Sequence, residues 1–421
     1  MSQDPKRRVF KGDVLVEGDR IAAVGDVGAK ADDVVDAKGC IVMPGLINCH
    51  SHVAMAIMRS VADDVQLEQF LDRTFAIDAK RTPEDVRIGA LLGCIEMARS
   101  GTTTFLDLYY DQDMIAKSVE ETGIRGYLGW TVLDEQFTTQ KGKPVDNCAR
   151  FIRSHKGRRL VTPVVAPQGV YVCSDETLAQ AKDLAAKEGT FCHYHLSETR
   201  YEVYEYQKKT GKRPAERLAE TGFLSKGDVA AHGVWLTINE VRALAKAGVS
   251  VAHCPTSNMK LASGGVAPLP EMFENGVTVG LGTDGCSSNN GLDMFSEMKF
   301  ASLMHKAHRW DAKVVPAQKA LDMATVDAAR ALGAAKDLGS IEPGKKADIV
   351  IVDCGQAGMV PTRAENAVAN LVYASASRAV RDTVVDGRFV LREGRVVTVD
   401  EQKALESAAA EAEALLARSA R

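Results

Sequence analysis

Eight short runs of apolar and β-branched residues recur through the middle of the chain, each followed by a helix-like stretch: IVMPGLINCHSH, TTTFLDLYY, RGYLGWTVL, LVTPVVAP, TFCHYHLSE, DVAAHGV, VSVAHCP and VTVGLGTDG. Alternation of this kind calls for βα units around a parallel sheet, and eight of them suit a closed (β/α)8 TIM barrel. Pro83 to Ser100 reads as a connecting helix with Gly101 as its stop. The chain has 421 residues, enough for a barrel and a smaller unit besides.

The flanks read differently. GDVLVEGDRIAAVG near the start, and GSIEPGKKADIVIVD with RDTVVDGRFVLREGRVV near the end, are short strands broken by Gly and Asp. The expected division is residues 1–40 and 338–400 as small β-rich segments, 41–337 as the barrel, and 401–421 as an Ala- and Glu-rich terminal helix.

Composition narrows the class. A net charge of −4 offers no attraction to nucleic acid or an anionic membrane. No apolar run is long enough to span a bilayer, and the start MSQDPKRRVFKGD lacks a signal-type apolar stretch. The nine cysteines are scattered, with no CxxC pair, which reads as free thiols in a reducing compartment. A cytoplasmic protein is expected.

Active sites of this fold sit at the C-terminal ends of the strands, so the residues that close each run matter most. The first run ends His50-Ser51-His52, the fifth His195-Leu196-Ser197-Glu198, the sixth at His232 and the eighth Thr283-Asp284-Gly285. Residues two apart on a strand share a side, so His50 and His52 can reach one ion. Three His and one Asp suit zinc, with Glu198 and His232 left as acid–base groups beside it. A lone His-x-His is weak and an Asp before Gly is often a turn, but four strand ends carrying such residues together are a much stronger signal. His155, His305 and His308 read as solvated. His193 and His253 stay undecided, each placed where it could support a ligand.

PGLINCHSHVAMAIMRSVADD, SGTTTFLDLYY, HLSETRYEV, VAAHGVWL, VAHCPTSNMKLASGGVAPL, LGTDGCSSNNGLDMF and GSIEPGKKADIVIVD together resemble the amidohydrolase superfamily. Within it they are similar to the branch holding the S-adenosylhomocysteine/methylthioadenosine deaminases and the triazine chlorohydrolases. The resemblance implies one divalent metal on His50, His52, His195 and Asp284, zinc first, with iron or manganese as alternatives. It implies that the flanks form one small β-sandwich. It also implies catalysis by Glu198, His232 and Asp284 on a small heterocycle, and assembly into homo-oligomers. Two-metal members carry a bridging Lys after the fourth strand; Ala166-Pro167-Gln168-Gly169 stands there instead, so a single metal is expected.

The leading expectation is release of ammonia from a purine nucleoside: 5′-methylthioadenosine, S-adenosylhomocysteine, 5′-deoxyadenosine or adenosine. Attack on guanine, a pterin, cytosine or a chlorinated triazine is the alternative, and a non-catalytic scaffold the third. Three substrate-binding positions depart from the deaminase pattern. Asp78 replaces a Glu, Trp130 stands where some members have Arg, and Gln168 replaces a His. Trp130 either stacks on the substrate or packs in the core. The chain also begins near the point reached after a first strand in related chains, so either the start lies upstream or an edge strand is missing.

Overall fold

The computed structural model describes residues 1–65, 67–374 and 376–420. Its centre is a ring of parallel strands: Leu46–His52, Thr102–Tyr109, Arg125–Val132, Val161–Pro167, His193–Leu196, Val229–His232, Ser250–His253 and Val279–Leu281. A parallel bridge between Val165 and Cys192 joins the fourth strand to the fifth. The eighth resumes at Asp284–Gly285 and pairs with Ser51 and His52 of the first, which closes the (β/α)8 barrel. The ring is filled by Ile47, Cys49, Leu106, Val164, Val229 and Ala252.

Helix Pro83–Arg99 shows how local chemistry sets the elements. Thr82 caps it and Asp85 completes the capping box. Gly101 follows its end at φ 81°, a left-handed conformation that glycine adopts without cost. The terminal helix runs Glu401–Ser419 and ties to the Pro83–Arg99 helix through Arg418 and Asp85, 2.5 Å apart. Arg421 lies outside the described residues.

The flanking segments do meet. Strands Arg395–Val396, Arg388–Arg392, Val380–Val385, Ile349–Asp353 and Cys40–Pro44 form one antiparallel sheet in that order. The hairpin Asp13–Glu17/Arg20–Gly25 packs on it through Val14, Val16, Ile21 and Val24 against Ile349, Ile351 and Val384. One sequence reading needs correction here. IVMPGLINCHSH is two strands, not one: Cys40–Pro44 crosses the boundary set at residue 40 and pairs with Ile349–Asp353, whereas Leu46–His52 belongs to the barrel. Gly45 stands at the break, where a Cβ would come within 2.1 Å of Thr103 Oγ1. No helix among the described residues is long and apolar enough to cross a membrane.

Candidate active site

The first barrel strand delivers two histidines at its C-terminal end, and the second strand holds that ending in place. Buried Asp107 accepts from the Val53 amide at 2.6 Å and from Ser51 Oγ at 3.1 Å. Strand pairing slips between Asn48 and Ser51, the kind of irregularity that re-aims side chains at barrel rims.

The hydrogen bonds then decide which ring nitrogens are free. His52 Nδ1 lies 2.5 Å from the Leu108 carbonyl and His195 Nδ1 2.6 Å from the Gln168 carbonyl. A carbonyl can only accept, so each Nδ1 carries a proton; His195, kept uncharged by burial, has a lone pair on Nε2, whereas His52 beside the Asp284 carboxylate holds a second proton on its Nε2. Those two Nε2 atoms face each other at 3.3 Å. His50 Nε2 is buried beside them with no hydrogen-bond partner among the described residues. Asp284 Oδ1 lies 3.2 Å from His52 Nε2 and 3.5 Å from His50 Nε2. The ligand atoms of His50, His52 and His195 lie within 4.8 Å of one another, as do those of His50, His232 and Asp284.

The lone pairs of His50 and His195 converge beside Asp284 Oδ1 with only the His52 proton among them, and a cation taking that proton's place would meet all four groups at once. Neutral imidazole nitrogens with one carboxylate oxygen are a donor set that fits a divalent metal. Burial keeps His50 and His195 well below their usual range, in the uncharged form a ligand needs. Burial also pulls on His52, but the adjoining Asp284 carboxylate lifts it to about 9, so a cation entering there would displace a proton.

Asp284 is held from the other side. Its Oδ2 accepts from Ser257 Oγ at 2.6 Å and Ser288 Oγ at 3.0 Å, while Oδ1 accepts from the Gly285 amide at 2.8 Å and faces the histidines. Asp284, His232 and Ser197 all have left-handed backbones, at φ 64°, 73° and 49°. Such conformations cost a non-glycine residue on the order of 1 kcal/mol and gather at functional sites.

Glu198 and His232 stand next to the cluster with Glu198 Oε2 3.7 Å from His232 Nε2. Burial and then the charge of Asp284 push the Glu198 carboxyl up to about 8, against a smaller opposing pull from His52. Glu202 grips the turn that aims it, accepting from the Ser197 amide at 3.0 Å and the Glu198 amide at 2.8 Å. Burial and the Glu198 charge push Glu202 itself up to about 7. His232 is lowered by burial, and its Nδ1 lies 3.2 Å from Asn258 Nδ2.

His52, His195, Glu198, His232 and Asp284 line a cavity of about 540 Å³, large enough for a nucleoside-sized ligand. Its walls include Asp78 and Gln168 together with Phe70, Phe75, Tyr171 and Leu261. Asp78 is not a free carboxylate: Tyr109 Oη donates to it, and Arg81 Nη1 lies 2.9 Å away. Gln168 offers its side-chain amide to Tyr171 Oη at 3.3 Å while its carbonyl holds His195.

Trp130 is a correction, since it is absent from the described residues that line the cavity. Its indole is 4% exposed, packs on Phe151 and donates from Nε1 to Gln140 Oε1 at 2.5 Å, so packing and a satisfied N–H account for it. His155 and His305 are corrections too. His155 is buried against Phe151 and bonded near Ser154. His305 is buried with its Nε2 3.3 Å from that of His253. His253 thus faces another histidine, whereas His193 stands 2.8 Å from the ring of His50. Ser257, Asn258, Ser288 and Glu202 were not picked out from the sequence. The signal available was the clustering of small hydroxyl and amide side chains in HCPTSN and CSSNN, directly after two strand ends.

Known proteins match this arrangement along nearly the whole chain. The chain is 42% identical over 415 residues to a 5′-deoxyadenosine deaminase of Methanosarcina mazei, covering 97% of this chain and 95% of that one. It is 41% identical to a 5-methylthioadenosine/S-adenosylhomocysteine deaminase of Thermococcus onnurineus, covering 91% and 90%. Among solved structures, an adenosine deaminase from Xanthomonas campestris with bound zinc superposes with a TM-score of 0.93 at 31% identity, covering 99% and 97%. Residues 41–390 match the amidohydrolase family, and with the barrel, its sandwich and the histidine-rich strand ends in agreement, the chain belongs to that family.

Proposed function

We propose that this protein hydrolyses the exocyclic amino group of an adenine nucleoside altered at its 5′ position, 5′-deoxyadenosine and 5′-methylthioadenosine before adenosine, and releases ammonia. The observation that carries the reading is the convergence of the Nε2 atoms of His50, His52 and His195 beside Asp284, with Glu198 and His232 next to them on the wall of one cavity. Names borne by relatives about 40% identical support the substrate class.

A divalent cation on these four residues, zinc by analogy with the Xanthomonas campestris structure, supplies when bound an acidified water near neutral pH. Glu198, held in its acid form by burial, gives a proton to the ring nitrogen beside the carbon under attack. His232 and Asp284 orient the water and take up its proton. A C–O bond forms, the C–N bond breaks, and the amino group leaves as ammonia once it has received a proton.

The walls suit the rest of the nucleoside. Asp78, fixed by Tyr109 and Arg81, presents its remaining lone pairs to the sugar hydroxyls, and Gln168 adds an amide. Lys209 is the one Lys or Arg among the described lining residues, which argues against a phosphorylated substrate.

Ammonia release by the zinc-loaded protein, measured across adenosine, its 5′-modified relatives, guanine, cytosine and pterins, tests the proposal. The highest kcat/KM is expected on 5′-deoxyadenosine or 5′-methylthioadenosine. Activity confined to another ring would overturn the substrate and keep the catalytic cluster.

A further inference from the structure

His193 is one of the most enclosed polar residues in the barrel, with 0% exposure, on the strand that ends in His195. Its two ring nitrogens have different partners. Nδ1 lies 2.9 Å from the Val229 carbonyl on the neighbouring sixth strand, and Nε2 lies 2.8 Å from His50 Nδ1. The carbonyl can only accept, so His193 carries its proton on Nδ1 and its Nε2 is the acceptor. The proton between the two rings therefore belongs to His50 Nδ1, and His50 Nε2 is left as a bare lone pair pointing at Asp284.

We infer that His193 is a positioning residue that fixes the tautomer and orientation of His50 for metal binding, a role that rests on the metal-site reading above. The other two histidine ligands use backbone carbonyls for the same purpose, Leu108 for His52 and Gln168 for His195. His50 alone among the three depends on a side chain. The chain of bonds runs from the first strand through the fifth to the sixth, so it also ties the metal floor to the strand that ends in His232.

A histidine buried only for packing and one that sets a ligand's tautomer respond differently to substitution. In His193→Leu the His50 Nδ1–H has no acceptor, and the ring is free to move its proton to Nε2 or turn away. In His193→Gln the amide oxygen accepts from His50 and the amide N–H reaches toward Val229.

The test is competition for zinc between the full-length protein and a chelator, with melting temperature recorded alongside. His193→Leu is expected to bind zinc about 10- to 100-fold more weakly than wild type, and His193→Gln within a few-fold of it. Equal zinc affinity in wild type and the Leu variant overturns the proposal. So does equal weakening in the Leu and Gln variants. If the Leu variant does not fold, long-range ¹H–¹⁵N spectra of the zinc-loaded wild type decide. Protons on Nδ1 of both His50 and His193 support the assignment, and a proton on His193 Nε2 overturns it. A wild-type chain that binds no zinc at all would instead overturn the metal reading itself, and this inference with it.

Discussion

The two ends of the barrel each bury a cluster of charged and polar groups, and only one of them is complete. At the N-terminal end, Asp386 meets Arg125 at 3.2 Å, Arg159 at 2.6 Å and Lys346 at 2.9 Å. Asp348 accepts from Arg125 at 3.1 Å and from the Asp386 amide at 2.8 Å. Every carboxylate there has a cation from the chain itself, and the cluster fastens the barrel to the small sheet. At the C-terminal end, Asp284 meets the Nε2 atoms of His50 and His52, whose Nδ1 atoms are engaged by His193 and the Leu108 carbonyl. His50 Nε2 and His232 Nε2 are buried without a hydrogen-bond partner among the described residues. The same fold thus builds one cluster for cohesion and one that gathers ring nitrogens and a carboxylate beside a cavity. Buried groups left unpaired are costly, so a site of that kind persists where a ligand or a reaction uses it.

Removing the metal should separate the two ends most sharply. Chelation is expected to lower activity by about 10³-fold or more, with recovery on adding zinc, because Lewis-acid activation of water is worth several kcal/mol. Circular dichroism should show the barrel intact. Loss of the fold together with the activity would mean that the metal end carries cohesion as well.

Glu198→Gln comes next. It keeps the shape of the side chain and removes the transferable proton, so kcat should fall by about 10²- to 10⁴-fold. The pH profile carries the same information. Glu198 is held up at about 8, mainly by burial, so its proton is present below that pH and lost above it. An alkaline limb of kcat/KM near 8 is expected in wild type and should vanish from the residual activity of the variant. A limb that survives the substitution belongs to another group.

The complete cluster is probed by Arg125→Met. Arg125 is buried, and truncating one partner of a buried ion pair leaves uncompensated charge at a cost of about 3 kcal/mol or more. Urea unfolding should show that loss while kcat and KM of the folded fraction stay as in wild type. A change in kcat would mean that the two ends communicate through the strands.

The difference between the ends also explains what could be read without coordinates. That His50, His52, His195 and Asp284 would meet was legible because the strand ends of this fold converge on one face of the barrel. The barrel itself was legible from the alternation of β-branched runs with helical segments. The break at Gly45 was not, since IVMPGLINCHSH is apolar on both sides of it, and the pairing partner of Cys40–Pro44 lies some three hundred residues along, at Ile349–Asp353. His155 and His305 sit in helices Pro144–His155 and Met294–Arg309, where the polar or apolar character of a face depends on neighbours that arrive from elsewhere in the chain. Arg125, Asp348 and Asp386 look like ordinary surface charges in sequence, because only the tertiary fold brings them together.

Trp130 gives the smallest expected effect and the finest test of where the active end stops. It lies on the third strand, in the half nearer the cavity, yet its indole turns toward Phe151 and Gln140. Trp130→Phe keeps most of the apolar volume and removes one donor. Gln140 Oε1 is not orphaned by the change, because Asn147 Nδ2 remains 3.3 Å from it. The cost should then be that of a single hydrogen bond and a little packing, about 1 kcal/mol in urea unfolding. KM for the preferred nucleoside should be unchanged, since the ring that remains still faces the core. A tenfold rise in KM at constant stability would instead place the indole against the substrate, and extend the unsatisfied end of the barrel one layer further than its hydrogen bonds suggest.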